Sequence, residues 1–386
     1  MTDADDARPP EPHDGQNASD ADQPGPGRCR VRVGSADGIL AIIPPLLGFH
    51  PADSIVVLGV GGPHARIRVT FRYDLPDPPD DSLAADIARH ACEVLRRQRL
   101  TMAIVVGYGP ARAVTPVCDL MRSALGSAGI TVQDMLRVSG GRYWSYLCQD
   151  PDCCPPDGVS YDPAGHPAAA ALVSAGLTVR ADRAELASTI ARDERAAQAM
   201  ELAVGRARRQ AAQLIEGALA GRPPAGDLLL PIADSGRRSV RLAVTAYRRG
   251  GEVTSHDEIA WLGFTLTDLR VRDDAWARMD PAFSAAHLRL WTDLVRMLPD
   301  DLVPAPAALL AFTAWQSGDG ALASIAVERA LEADPEYSMA LLISDALQAG
   351  LPPSAARLPM TPKQVAASYA ARGRAKAKPP RRRRAC

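Results

Sequence analysis

Ile55-Val56-Val57-Leu58-Gly59-Val60, the turn Gly61-Gly62-Pro63 and the run Arg66-Ile67-Arg68-Val69-Thr70-Phe71-Arg72-Tyr73 decide the fold. The first run is apolar throughout and reads as a central strand. The second alternates arginine or threonine with Ile67, Val69, Phe71 and Tyr73, so the two close into a hairpin across the glycine–proline turn. An apolar helix-like segment precedes the hairpin over 36–47. After it, Ser82 caps a helix to about Gln98, and Met102 to Val106 reads as a buried strand. A helix over 116–125 and strands over 131–138 and 143–147 follow. Strands alternating with helices after an initial hairpin predict an α/β N-terminal domain, a mixed sheet with flanking helices, over 28–165.

Beyond Gly165 nearly every segment reads as helix. Asp182 with Glu185 three residues on resembles a capping box, and the Ala-rich stretch it opens runs to Gly221 before Pro223-Pro224 stops it. Unbroken, that helix would be about 55 Å long, so a break near Arg192 or Gly205 fits the stretch better. Helices are expected again over 235–248, 256–269, 281–297, 306–316, 321–333 and 337–348. Ala311, Ala314, Ala323, Val327, Ala330 and Pro335 carry the spacing of a tetratricopeptide-like hairpin, at about one and a half repeats. The hairpin is then expected to close an all-α helical C-terminal domain, over 166–362, rather than form a solenoid of its own.

Both ends differ from the middle. The formal net charge is -1, yet seven acids face one arginine before Gly25, and nine bases face no acid from Lys363 onward. Residues 1–27 therefore read as a disordered acidic tail and 363–386 as a disordered basic tail. Only Lys363, Lys376 and Lys378 are lysine, so arginine abundance here reflects composition more than a phosphate-binding surface. The longest apolar stretch, over 38–49, is broken by Pro44-Pro45 and too short to span a bilayer, and no secretory signal opens the chain. The expectation is a cytoplasmic protein with no membrane contact, whose odd number of cysteines, seven, fits a reducing compartment.

Six constellations are candidates for chemistry. Cys148, Cys153, Cys154 and His166 are four ligands of the kind zinc prefers, in a C-x4-C-C order that lacks paired knuckles; a disulfide and thiols buried in a core compete with a structural zinc. His50, Asp53 and Ser54 precede the central strand, where local capping of the turn competes with a binding or catalytic role. Arg72 and Asp74 leave the second strand on one face, placed either to pair with each other or to grip a ligand. Gly107-Tyr108-Gly109 lies where a phosphate-cradling turn would, without its remaining glycine. Arg142 and Trp144 offer a cation and a stacking ring. For nucleic acid, Arg372, Arg374, Arg381, Arg382, Arg383 and Arg384 are the electrostatic candidates.

Three passages, 46–59 with its Gly48-Phe49-His50-Pro51-Ala52-Asp53, 142–156 with its tryptophan and cysteines, and 314–321 with its Trp315-Gln316-Ser317-Gly318-Asp319, resemble the actinobacterial proteins grouped as the DUF4192 family. The resemblance implies membership over most of 28–357 and no activity. No complete catalytic signature is present, so the expectation is a non-enzymatic binding or regulatory protein. Its α/β domain would dock a ligand or partner through Asp53, Arg72, Asp74, Arg142 and Trp144, and its helical domain would meet a protein partner. The rival is a hydrolase or nuclease-type enzyme with Asp53, Arg72, Asp74 and Arg142 in one pocket, and a third reading is a nucleic-acid binder working through the basic tail.

Overall fold

A computed structural model describes residues 34–62, 64–163, 165–220, 227–355 and 360–377. The hairpin is the start of a six-stranded mixed sheet. Its strands are β1 (Ser54–Gly61), β2 (Arg66–Asp74), β3 (Met102–Tyr108), β4 (Thr131–Ser139), β5 (Arg142–Ser145) and β6 (Val159–Ser160), in the order β2-β1-β3-β4-β5-β6. Only β3 and β4 run parallel; the other neighbours are antiparallel. β1 and β3 are interior strands buried on both faces, which is why both read as unbroken apolar runs.

The side-chain alternation of the strands divides two layers of core. Ile55, Val57, Ala103, Val105 and Met135 point to the helices α2 (Asp81–Arg97) and α3 (Ala111–Ser127). Val56, Leu58, Ile104, Val106, Tyr108, Leu136 and Val138 point the other way, against α1 (Ala36–Leu47). α4 (Pro167–Ser174) backs α1, with Ala168 and Leu172 on Ile42. Asp80, not Ser82, caps α2, accepting from the Ser82 and Leu83 amides. Ser35 caps α1, which ends on Gly48 at φ 77°. That left-handed turn is natural for glycine and points the chain back toward β1.

The remainder is helical. Asp182 accepts from the Glu185 amide at 2.7 Å and so caps α5 (Arg183–Ser188), while the Glu185 carboxylate accepts at 2.7 Å from the Ala181 amide, one residue before the one a capping box would use. The Ala-rich stretch breaks after α5 and resumes as α6 (Ala197–Ala220). Then come α7 (Leu230–Arg248), α8 (His256–Leu266), α9 (Leu269–Ala277), α10 (Ser284–Met297), α11 (Pro304–Gln316), α12 (Gly320–Ala333) and α13 (Ser338–Gln348). α8 and α9 replace the single helix expected over 256–269, because the Asp268 carboxylate accepts from the Arg270 amide and caps a new start. α11 and α12 pack as a hairpin, and α11 is buried from Pro304 to Trp315, so it keeps no open face for a peptide.

The expectation of a disordered tail from Lys363 does not hold over its first part. Pro362–Ala377 is a helix, α14, packed on α9, with Val365 buried and the Tyr369 hydroxyl donating to Asp273 at 2.6 Å. Thr361 supplies the start, its hydroxyl accepting from the Gln364 amide while the Gln364 side chain accepts from the Thr361 amide. The acidic tail over 1–27 lies outside the described residues. The two halves meet directly: a His90 ring nitrogen bonds the Gln348 carbonyl at 2.8 Å, and Gln98 donates to the Gly350 carbonyl. Among the described residues no helix is long and apolar enough to cross a membrane.

Candidate functional site

A groove of about 270 Å³ opens at the carboxyl ends of β3 and β4. The chain enters β1 from α1 on one face of the sheet, whereas it leaves β3 for α3 on the other. Those diverging connections leave a crevice between them, as they do at ligand sites of open α/β sheets. Its lining includes His50 and Asp53 from the loop before β1, Tyr108 and Gly109 from the end of β3, Ser139 from the end of β4, and Tyr161 beyond β6.

Tyr108 is the last residue of β3 on the α1 face, in register with Ser54 of β1 and Val138 of β4. Its ring belongs to the core, its exposure is 6%, and its hydroxyl is buried with no hydrogen-bond partner. Burial, with Tyr161 nearby, holds the phenol well above its ordinary pKa, so the group is a neutral donor and acceptor at any physiological pH. The Ser54 hydroxyl is likewise buried and unpartnered. A buried hydroxyl without a partner costs about 1–3 kcal/mol, which a core phenylalanine would avoid.

The loop that carries His50 and Asp53 is strained and braced. Asp53 takes φ 41°, which an L-residue other than glycine rarely adopts. Its carbonyl accepts from the Leu75 amide at 2.9 Å, and its carboxylate lies close to Gly109. At φ 142° Gly109 has to be glycine, and a Cβ there would also meet Leu75 at 3.3 Å. Strained non-glycine residues of this kind cluster at ligand sites. Arg72 donates to the Ala52 carbonyl at 3.1 Å, pairs with Asp74 at 2.6 Å and lays its guanidinium over the Phe49 ring. It positions the loop instead of reaching into the groove. On the other side Phe49 bridges Arg180, whose carbonyl accepts from the His50 amide.

Of the binding residues expected from the sequence, Asp53, Arg72, Asp74, Arg142 and Trp144, only Asp53 lines the groove, with His50 from the same loop and Tyr108 and Gly109 from the glycine-flanked turn beside it. Arg72 and Asp74 form their own pair, and the pocket shared by Asp53, Arg72, Asp74 and Arg142 does not assemble: β2 and β5 stand four strand spacings apart, about 19 Å. Arg142 is a brace. Its guanidinium donates to the Asp157 carbonyl at 2.7 Å, the Gly158 carbonyl at 2.8 Å and the Ser160 hydroxyl at 3.1 Å. Trp144 donates to the Pro156 carbonyl at 2.8 Å and stacks under Arg137. Gly158, at φ 77°, lies against the indole so closely that a Cβ would stand 2.5 Å from it. Both side chains therefore fasten the cysteine loop between β5 and β6.

In that loop the thiols of Cys148, Cys153 and Cys154 lie within 4.8 Å of one another. His166 does not join them; its Nδ1 accepts from the Ala168 amide at 3.1 Å and caps α4, a role its place just before Pro167 already suits. Nor are the three thiols core: Cys153 is exposed and the others half-buried, whereas Cys92 and Cys118 are the buried pair. Of the basic candidates, Arg372 and Arg374 fall in α14, while Arg381, Arg382, Arg383 and Arg384 lie outside the described residues.

Tyr108, Ser139 and Tyr161 were missed as groove residues. Gly107-Tyr108-Gly109 carried a signal, a polar aromatic at the end of a buried strand between two glycines, but it pointed to the glycines and not to the hydroxyl. The family model for a domain of unknown function, DUF4192, matches residues 37–354, and so spans both halves. No curated protein and no solved structure matches the chain.

Proposed function

We propose a function for this chain, which belongs to the DUF4192 family of domains of unknown function, from its groove: it is a non-enzymatic protein that binds a small polar ligand at the carboxyl edge of β3 and β4. What carries this reading is Tyr108, which lines the groove beside a strained Asp53 and whose hydroxyl is buried without a partner. A ligand that hydrogen-bonds the phenol would satisfy it, and Asp53, His50 and Ser139 supply the polar groups that fix the ligand's orientation. About 270 Å³ is at the small end for such pockets, so the ligand is small.

In this reading the helical half carries the response, because it touches the groove's own loop through the bridge from Arg180 to Phe49. It also offers a protein partner the exposed Leu341 and Leu342 of α13. The protein works in the reducing cytoplasm, which keeps the cysteine loop in thiol form. Ligand-observed NMR against a collection of small polar metabolites, run with wild type and with Ser139→Trp to fill the groove, tests the binding. Ligands lost specifically in the variant support it; identical spectra for the two proteins reject it.

A further inference from the structure

We infer that Cys148, Cys153 and Cys154 form a zinc site, a trithiolate centre that holds the loop between β5 and β6 and keeps a fourth position open to solvent. The geometry is close to what the metal needs. A tetrahedral zinc with Zn–S bonds of about 2.3 Å has sulfur–sulfur edges of about 3.8 Å. The Cys153 and Cys154 sulfurs are 3.9 Å apart, and all three lie within 4.8 Å. Neighbouring cysteines diverge on an extended strand, but these two lie in a turn. The Cys154 amide donates to the Asp150 carbonyl at 2.7 Å, and the Asp152 amide to the Asp150 carboxylate at 3.0 Å, which turns both sulfurs to one side.

Three sulfurs in one place cannot all ionise alone; a dication makes it favourable, releasing three protons to solvent. Beyond these two turn hydrogen bonds, few side chains hold the centre of the loop. It is fastened at its ends by Arg142 and Trp144, Cys153 is exposed, and Gln149-Asp150-Pro151-Asp152 offers no apolar side chain beyond the proline. Metal ligation is the interaction this arrangement lacks, and His166 is not part of it because its Nδ1 caps α4.

The test is elemental analysis of the full chain purified without a histidine tag, alongside Cys153→Ser and His166→Ala. About one zinc per chain is expected in wild type and in His166→Ala, and none in Cys153→Ser. Because a substituted loop can misfold for other reasons, wild-type protein is also loaded with Co²⁺, where intense sulfur-to-cobalt charge transfer in the near ultraviolet is expected. Metal-free protein with freely reactive thiols, a disulfide within the trio, zinc that survives Cys153→Ser, or cobalt without charge transfer each overturns the proposal.

Discussion

Among the described residues both halves of this chain bury polar atoms without partners, but the α/β half leaves much more room beside one. In the helical half the His287 Nδ1 and Trp291 Nε1 have no partner, and the cavity that His287 lines is about 50 Å³, enough for water but not for a ligand. Around it the charges pair internally: Arg278 with Asp274 and Arg272 with Asp273, each at 2.6 Å, and the Tyr247 hydroxyl with Asp293 at 2.5 Å. Tyr108 instead borders a groove more than five times larger by volume, about 270 Å³ against 50 Å³. In the reading proposed, the difference separates a polar imperfection of a packed core from a polar group that a ligand would satisfy.

The sharpest contrast is in packing. Trp291 is 1% exposed in the middle of the helical core, and Trp291→Ala is expected to cost about 3–5 kcal/mol in urea unfolding. An effect below about 1 kcal/mol would mean that this half is not the closed core described. The next contrast is pH. Burial, reinforced by Arg248, lowers the His287 pKa to about 4. Folding therefore disfavours its proton. The stability this contributes is complete above the unfolded pKa of about 6.5 and is lost as pH falls toward 4, by up to about 3 kcal/mol. Urea midpoints measured from pH 7 to pH 4 are expected to fall less steeply in His287→Leu than in wild type; parallel curves would remove His287 as the cause.

The mixed sheet was legible in the sequence because hydrophobic patterning follows burial: Ile55 to Val60 and Met102 to Val106 are buried on both faces and look it. The cap at Asp182 was legible because it is local. Most of the site was not. Arg72, Arg142 and Trp144 stood out as rare polar or aromatic residues, but their use as braces depends on carbonyls 20, 16 and 12 residues away. His166 looked like a metal ligand because histidine can be one; its conversion to a helix cap depends on where α4 begins. Likewise α14 was hidden by its basic composition, as its docking on α9 through Tyr369 and Asp273 joins residues 96 apart.

A smaller effect separates a brace from a ligand group. Arg72→Ala is expected to cost about 1–2 kcal/mol, from the lost bond to Ala52 and the lost cover over Phe49. Its pair with the exposed Asp74 contributes little of this. Ligands found for the wild type should bind more weakly to this variant in NMR titrations, because the loop bearing Asp53 loosens. Unchanged binding would show that the loop's position does not matter to the groove.

The most direct measurement is made on Tyr108→Phe, with stability and ligand binding read on the same sample. A phenylalanine keeps the ring in the core and deletes the buried, unpartnered hydroxyl of a residue that lines the groove. If that hydroxyl awaits a ligand, the free variant is as stable as wild type or more so, by up to about 1 kcal/mol in urea unfolding, and the small polar ligands that raise the wild-type melting temperature no longer do so. A variant that is less stable without ligand and still binds would contradict the account, because the phenol would then be serving the fold and not the groove.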